Sequence, residues 1–156
     1  MSFVVSGLAP DPFTPLFGAD DAALTAAGAM RFTVDAKPGF PCRITLEDAE
    51  PGETVLLLNH EHQSADTPYR SRHAIYVREA AGGPARYQDQ LPPALVVRLL
   101  AIRAFDADGM MVDADIVEGR EAVPLIKRLM ADPRTAYLHA HYARRGCFAA
   151  RIDPAC

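Results

Sequence analysis

The sequence predicts an α+β fold: a single domain over residues 1–156, mainly antiparallel β-sheet with one or two packed α-helices. A chain of 156 residues has the usual length of one domain, and no internal repeat or low-complexity tract divides it. Its strand-like segments are joined mostly by turns and seldom by helices. That arrangement is typical of antiparallel sheets.

Alternating or continuous apolar residues predict the strands. The segment 53–60 contains Val55, Leu56, Leu57 and Leu58, which are apolar on both faces, so it is the predicted central strand. Asp108-Gly109 indicates a hairpin turn, because this dipeptide accepts positive φ. The other predicted strands are residues 3–6, 30–35, 42–46, 73–79, 100–106, 110–117, 137–142 and 147–152.

Three helical segments and two loops complete the predicted domain. Residues 122–130 carry apolar side chains at i, i+3, i+4, i+7 and i+8, the pattern of an amphipathic helix. Residues 20–29 are alanine-rich with acids at their start, which predicts a short helix. Residues 95–99 predict one helical turn. The polar segment 61–72 and the segment 80–93 are the predicted surface loops.

Charge and hydropathy argue against nucleic-acid and membrane functions. Acids outnumber bases 20 to 16, giving a net charge of −4 and a pI near 5.7, whereas phosphate binding needs clustered lysine and arginine. Arg144-Arg145 is interpreted as the solvated tip of a hairpin. The longest apolar runs fall far short of the roughly 20 residues that cross a bilayer.

The N-terminus and the cysteines suggest a reducing compartment. Residues 1–6 lack the basic and apolar regions of a secretion signal, so we expect a cytoplasmic location. Cys42, Cys147 and Cys156 are an odd count, which favours free thiols, and we expect all three reduced. The sequence contains no Gly-x-Gly-x-x-Gly motif that would indicate a nucleotide cofactor.

All five histidines lie in or beside predicted strands, and four of them form two His-x-His pairs, His60 with His62 and His139 with His141. This spacing puts both rings on one face of a strand, where they can share a metal. The alternative is a pair of hydrogen-bonded core histidines. If Tyr142 pairs with Cys147, the second pair shares a face with Phe148, Ala150 and Ile152, unless a one-residue bulge reverses the match.

Four motifs follow one another along nearly the whole chain: residues 35–43, DAKPGFPCR; residues 61–63 with 68–70 and 73–77, EHQ with PYR and HAIYV; residues 103–109, RAFDADG; and residues 137–139 with 146–148, YLH with GCF. Together they resemble a bacterial family known only as domain of unknown function number 1203. The resemblance implies no activity, substrate or cofactor. It does single out His62, Tyr69, Arg70, His73, Arg103, His139 and Cys147, and it argues against both His-x-His pairs because His60 and His141 fall at positions where tyrosine or asparagine would serve.

Two hypotheses remain open. The first is a small-molecule binding protein or enzyme that takes an anionic ligand in a pocket lined by His62, Tyr69, Arg70, His73, Arg103 and His139, because arginine binds carboxylate or phosphate and neutral imidazole exchanges protons near pH 7. The metal candidates are His62, His73 and His139. The second is a non-catalytic interaction module, expected as a homodimer. In both, His62 and His73 should meet where their strands pair.

Overall fold

The computed structural model describes residues 1–155, which form nine β-strands and three α-helices. The predicted fold class is confirmed: two sheets, antiparallel throughout, with three short helices. The strands are β1 (Ser2–Ser6), β2 (Met30–Thr33), β3 (Thr54–Gln63), β4 (Ser71–Arg78), β5 (Arg86–Gln88), β6 (Leu99–Phe105), β7 (Met111–Glu118), β8 (Tyr137–Tyr142) and β9 (Phe148–Ala155), and the helices are α1 (Asp21–Ala26), α2 (Pro93–Val96) and α3 (Ala122–Met130).

The larger sheet has the order β5-β1-β9-β8-β6-β7. One face of it packs against α3, whose predicted bounds are confirmed. Buried Ile126 and Leu129 on the helix meet Leu100 and Leu138 on the sheet, and Leu125 packs against the same core while half-buried. The opposite face of β6 and β8 turns toward the smaller sheet.

The smaller sheet has the order β2-β3-β4, so the predicted central strand lies in the middle of it. Leu58 pairs with Ile75 and His60 with His73. Residues directly opposite in an antiparallel pair share a face, so an apolar patch built on Leu58 and Ile75 continues along the strands into the two histidines. Phe13 and Leu24 cover the apolar end of this face.

The predicted loop 61–72 is wrong in extent. β3 continues to Gln63 and β4 begins at Ser71, which leaves residues 64–70 as the connection. The polar residues are strand residues instead: Arg72 donates to Asn59 Oδ1 at 2.6 Å and to Glu61 Oε2 at 3.4 Å across the outer face of the hairpin. Polar pairs of this kind stabilise the solvent-facing side of a sheet. In the sequence, such polar strand residues look the same as the residues of a loop.

Two other predicted segments differ. Residues 42–46 do not form a strand, because the backbone turns there: Leu46 has φ 56° and its N–H donates to Cys42 O at 3.0 Å. The segment 80–93 contains β5, which pairs with β1 and was missed. Cys42 and Cys147 are free thiols, as expected, and Cys156 lies outside the described residues.

The β8–β9 hairpin contains a one-residue bulge, which changes the residues of β9 that share a face with His139 and His141. His141 pairs with Phe148, but Ala140 pairs with Ala150, so Ala149 is an extra residue on β9. Phe148 therefore faces the same side as the histidines of β8, whereas Ala150 and Ile152 belong to the core under α3. Between residues 1 and 155 no helix is long and apolar enough to cross a membrane.

Candidate functional site

A layer of histidines lies between the two sheets, and the strand alternation places it there. His60 and His62 point from β3, and His73 points from the paired position on β4. His139 and His141 point from β8, in the centre of the larger sheet. The two His-x-His pairs therefore face each other across the space between the sheets.

The rings make direct contact. The ring of His62 stacks on that of His73, with centroids 4.7 Å apart and an angle of 5° between the planes. It also stacks on the ring of Phe148, with centroids 5.0 Å apart. His141 stands edge-on to His62 at 5.1 Å and to His73 at 5.4 Å, and His139 lies 5.9 Å from His62. The His62 ring is thus held between two parallel rings with its edge toward β8.

The histidine nitrogens lack hydrogen-bond partners. Within residues 1–155 no partner is found for the buried atoms His62 Nδ1 and Nε2, His73 Nδ1, His139 Nδ1 and His141 Nε2. His141 Nδ1 is the exception, 3.0 Å from Gly146 O. Because a carbonyl only accepts, Nδ1 carries the proton and Nε2 keeps its lone pair. Buried polar atoms are rarely left without partners, so the layer has unused capacity for a ligand.

Burial keeps these histidines uncharged. The pKa values of His62, His139 and His141 are lowered to about 3, first by burial and in addition by the neighbouring histidines and Arg103. The pKa values of His60 and His73 are lowered too, again mainly by burial. At neutral pH the layer consists of neutral imidazoles, which can act as ligands and as hydrogen-bond donors or acceptors.

Arg103 borders the layer from β6. It pairs with His139 across the β6–β8 ladder, so its side chain leaves the same face of the sheet. The side chain is half-buried, and no carboxylate of the described chain lies within ion-pairing distance of it. A positive charge without a counter-ion therefore stands beside the neutral rings.

A cleft with a volume of about 710 Å³ opens beside the histidine layer, and His73 is part of its wall. The remaining wall is notably basic. It contains four arginines and one carboxylate, with Leu57, Val97 and Leu99 as apolar surface: the charged residues are Arg43, Arg98, Arg144, Arg145 and Glu118. Tyr142 and Cys147 also line the cleft.

Arg43 is the most unusual residue of the cleft, because its side chain is only 2% exposed. Its guanidinium donates to Phe148 O at 2.8 Å, Pro41 O at 2.6 Å and Cys147 Sγ at 3.1 Å, none of which is a carboxylate. No ion pair to a carboxylate is found for it in the part of the chain that the structure describes. Its charge is thus buried and uncompensated.

Arg98 differs from Arg43 in having a carboxylate partner. It binds Asp48 through two hydrogen bonds of 2.7 Å. Arg43 and Arg98 both lie over the ring of Tyr142, at 4.9 and 5.1 Å from its centroid. Burial raises the pKa of Tyr142 to about 12 against the opposing effect of the two arginines, so its hydroxyl stays protonated. Tyr142 Oη has no hydrogen-bond partner among residues 1–155 and remains available as a donor.

The family model described as a protein of unknown function, DUF1203, matches residues 39–153. The chain belongs to the DUF1203 family. No curated protein and no solved structure matches it. The DUF1203 match spans every histidine of the layer and every arginine of the cleft. The site described above therefore lies wholly within the part of the chain that defines the family.

In this DUF1203 chain, the predicted site residues lie in three places. The structure brings His62, His73, His139 and Arg103 together between the sheets. Tyr69 lies at the edge of the layer, its ring 6.2 Å from that of Phe105. Arg70 is exposed and binds Glu61 Oε1 at 3.3 Å on the outer face of the hairpin, away from the histidines.

Sequence reasoning missed five members of the DUF1203 site. The family resemblance argues against His141, yet its ring contacts His62 and His73. Arg144 and Arg145 are exposed at a hairpin tip, as expected, but they also line the cleft. Arg43 and Arg98 come from segments distant in sequence. The one sequence feature that points to any of these residues is that Arg43 belongs to the first motif. An arginine in a sequence does not by itself indicate whether its side chain is buried.

Proposed function

We propose that the protein binds a small organic anion, a carboxylate or a phosphate ester, in the arginine-lined cleft. The buried, uncompensated guanidinium of Arg43 is the observation that carries the proposal. A buried charge without a partner of opposite charge costs several kcal/mol, and an anion in the cleft would offset that cost. The cleft wall supplies the rest of the positive potential.

The dimensions and lining of the cleft support an organic ligand. Its 710 Å³ fall within the roughly 300–1,000 Å³ of small-molecule sites. Arginine forks bind carboxylate or phosphate oxygens in pairs, while Leu57, Val97 and Leu99 offer apolar surface for a carbon skeleton. The hydroxyl of Tyr142 and the imidazole of His73 are neutral partners for further polar groups.

The alternative of a purely structural module explains fewer of these contacts. It accounts for Gln63, which donates to Tyr137 Oη at 3.0 Å, and for Thr67, which donates to Gly109 O at 3.2 Å. It leaves Arg43, Arg103 and the histidine nitrogens without a role, because structural polar groups are normally satisfied by the protein itself. The anion-binding proposal gives Arg43, which lines the cleft, a partner of opposite charge.

The proposal is tested by calorimetric titration of chelator-treated protein at constant ionic strength. The probes are inorganic phosphate, citrate and phenyl phosphate, which separate phosphate from carboxylate recognition and report on the apolar wall. We expect at least one probe to bind and the double variant Arg144→Ala/Arg145→Ala to bind it about tenfold more weakly, because a hydrogen bond to a charged group contributes about 1.5–3 kcal/mol and these two arginines are solvated.

The matched control is Arg86→Ala, which removes an exposed arginine from edge strand β5, outside the cleft lining. It should leave the affinity unchanged. If the control lost about half of the binding free energy that the double variant loses, only net charge would matter, because the control removes one positive charge and the double variant removes two. That result, or the absence of binding by all three probes, would contradict the proposal.

A further inference from the structure

The histidine layer contains an arrangement that the anion cleft does not use. His62, His139 and His141 each offer one ligand atom, and these atoms all lie within 4.8 Å of one another. Two nitrogens bound to one zinc ion at about 2.0–2.1 Å in tetrahedral geometry are roughly 3.4 Å apart. Closing the set therefore requires a shift of little more than about 1 Å, which side-chain rotation of the rings can supply.

The nitrogens of this trio have lone pairs that a metal ion could accept. Each of the three histidines has at least one buried nitrogen without a hydrogen-bond partner in the described chain. The side chains of His139 and His141 are 2% and 1% exposed, so bulk water does not solvate them. A histidine packed for structural reasons would use its nitrogens in hydrogen bonds with the protein, and only His141 Nδ1 does so.

Supporting contacts fix the orientation of two of the rings. The hydrogen bond from His141 Nδ1 to Gly146 O directs the lone pair of Nε2 into the layer, as the outer contacts of metal-bound histidines do. The His62 ring is held between His73 and Phe148, both nearly parallel to it. This preorganisation lowers the entropic cost of gathering three ligands around one ion.

We propose that His62, His139 and His141 bind a divalent transition metal of the zinc class between the two sheets. Three imidazoles favour zinc, cobalt, nickel, copper or iron over magnesium and calcium, which prefer oxygen ligands. Three protein ligands leave a coordination position open, as in catalytic zinc sites and unlike closed structural ones. The charge of Arg103 beside the ion makes an anionic oxygen ligand the expected occupant of that position.

This inference stands on the histidine nitrogens and not on the anion cleft, so the two proposals are tested separately. Protein purified without a histidine tag is stripped with EDTA and transferred to buffer without phosphate or carboxylate. Zinc is titrated against a chromophoric chelator, and cobalt is added to a second sample for its visible ligand-field spectrum. We expect a single zinc ion per chain and a cobalt spectrum of low coordination number, with three nitrogen donors.

Single variants locate the ion. His62→Ala, His139→Ala and His141→Ala should each weaken zinc binding by more than about 100-fold, since even an outer contact of a metal ligand is typically worth about 10- to 100-fold. His60→Ala is the matched control, because His60 lies on the same strand face and contacts Phe13 rather than the trio. It should bind zinc like the wild-type chain.

Three results would overturn the proposal. The first is a wild-type protein that, after stripping and renewed addition of zinc, retains no zinc through gel filtration. The second is a cobalt spectrum identical to that of the hydrated ion. The third is zinc affinity unchanged in the folded His62→Ala variant, whose half-buried position makes it the substitution least prone to disturb folding. Binding lost in His62→Ala and kept in His60→Ala supports it.

Discussion

At the scale of single residues, the ion pair of Arg31 and Glu79 illustrates how one carboxylate joins separate parts of the chain. Glu79 accepts from Arg31 Nε at 2.6 Å and from the backbone N–H of Gly18 at 2.7 Å. Arg31 also donates to Ala19 O at 2.8 Å. The hydrogen bond from Arg31 holds the pKa of Glu79 at about 2, below its ordinary value of 4.5. The segment before α1 is thereby fixed to the smaller sheet.

This pair predicts acid sensitivity with a defined sign. The carboxylate is charged in both states above pH 4.5, and its stabilisation is lost as the pH falls from 4.5 toward 2, because the unfolded state then binds the proton first. Glu79→Gln should cost roughly 1–3 kcal/mol at pH 7, because Arg31 loses its charged partner, and it should reduce the loss of stability between pH 4.5 and 2. Urea unfolding followed by circular dichroism at pH 7, 4.5 and 3 measures both effects.

The control for Glu79 is Glu121→Gln, which alters an exposed carboxylate that forms no ion pair within residues 1–155. It should follow the wild-type pH profile. The buried histidines lower stability on acidification as well, since their folded pKa values are below 6.5, but they do so equally in both variants. An unchanged slope in Glu79→Gln would show that the pair contributes nothing.

Gly109 is a second residue with a specific requirement. Its φ is +83°, and a Cβ built there lies 2.3 Å from Ala65 Cβ, in the loop that connects β3 and β4. We expect Gly109→Ala to destabilise by roughly 2–4 kcal/mol, from the left-handed backbone and from overpacking together. Gly52→Ala, with φ +92° and open space around it, should show only the backbone part, roughly 1–2 kcal/mol. Equal unfolding midpoints in urea for the two variants would refute this.

The sequence was informative about site residues wherever strand pairing determines position. His62 and His73 meet because the strands that flank a short connection pair with each other, and this was deducible from two apolar segments in sequence. The arginine cleft was not deducible. Arg43, Arg98 and Arg145 come from two turns and a hairpin tip, and their convergence depends on how the two sheets pack, which no local pattern records.

At the scale of elements, alternation alone could not separate strand from loop where polar residues fill both faces. The end of β3 has His60 and His62 on the inner face and Asn59 and Glu61 on the outer one, so it is polar at every position. The amphipathic helix posed no such problem. Residues 122–130 bury one face and expose the other, and α3 has the predicted bounds.

The helix gives a graded prediction about burial. Leu129 is 1% exposed, whereas Leu125 is half-buried at the edge of the same contact. Leu129→Ala should therefore cost about 2–5 kcal/mol, and Leu125→Ala roughly 1–2 kcal/mol, because less apolar area returns to water. Thermal unfolding ranks the two. If Leu125→Ala lowered the stability more than Leu129→Ala, the face of α3 that contacts the sheet would differ from the one described above.

At the scale of the whole molecule, the two sheets are joined through Phe148 of β9. Its ring lies 5.0 Å from His62 of the smaller sheet and 5.2 and 5.9 Å from His139 and His141 of its own. Phe148 thus contacts both halves of the histidine layer. Its backbone carbonyl accepts the hydrogen bond from buried Arg43, so it also connects the layer to the cleft.

Phe148→Ala should cost about 3–5 kcal/mol and still unfold in one transition, because neither sheet retains a complete core without the other. Phe32→Ala, on the outer side of the smaller sheet, removes an equally large but half-buried ring and should cost less. Calorimetry tests for a single transition, because the measured enthalpy of unfolding then equals the van't Hoff enthalpy. Two resolved transitions in Phe148→Ala would show that the sheets are independent folding units.

The extra residue in β9 has a consequence for how the chain tolerates changes of length. Phe148 and Arg151 are three positions apart and would lie on opposite faces of a regular strand, yet Arg151 shares a side with the histidines and covers the Tyr137 ring at 4.0 Å. The bulge explains this, because its extra residue shifts the alternation of side chains by one position. Shortening Ala149-Ala150 to a single alanine would restore even spacing and keep every later side chain on its present side. A third alanine with the one-residue bulge retained would instead exchange the two sides and turn Arg151 toward the apolar core beneath α3.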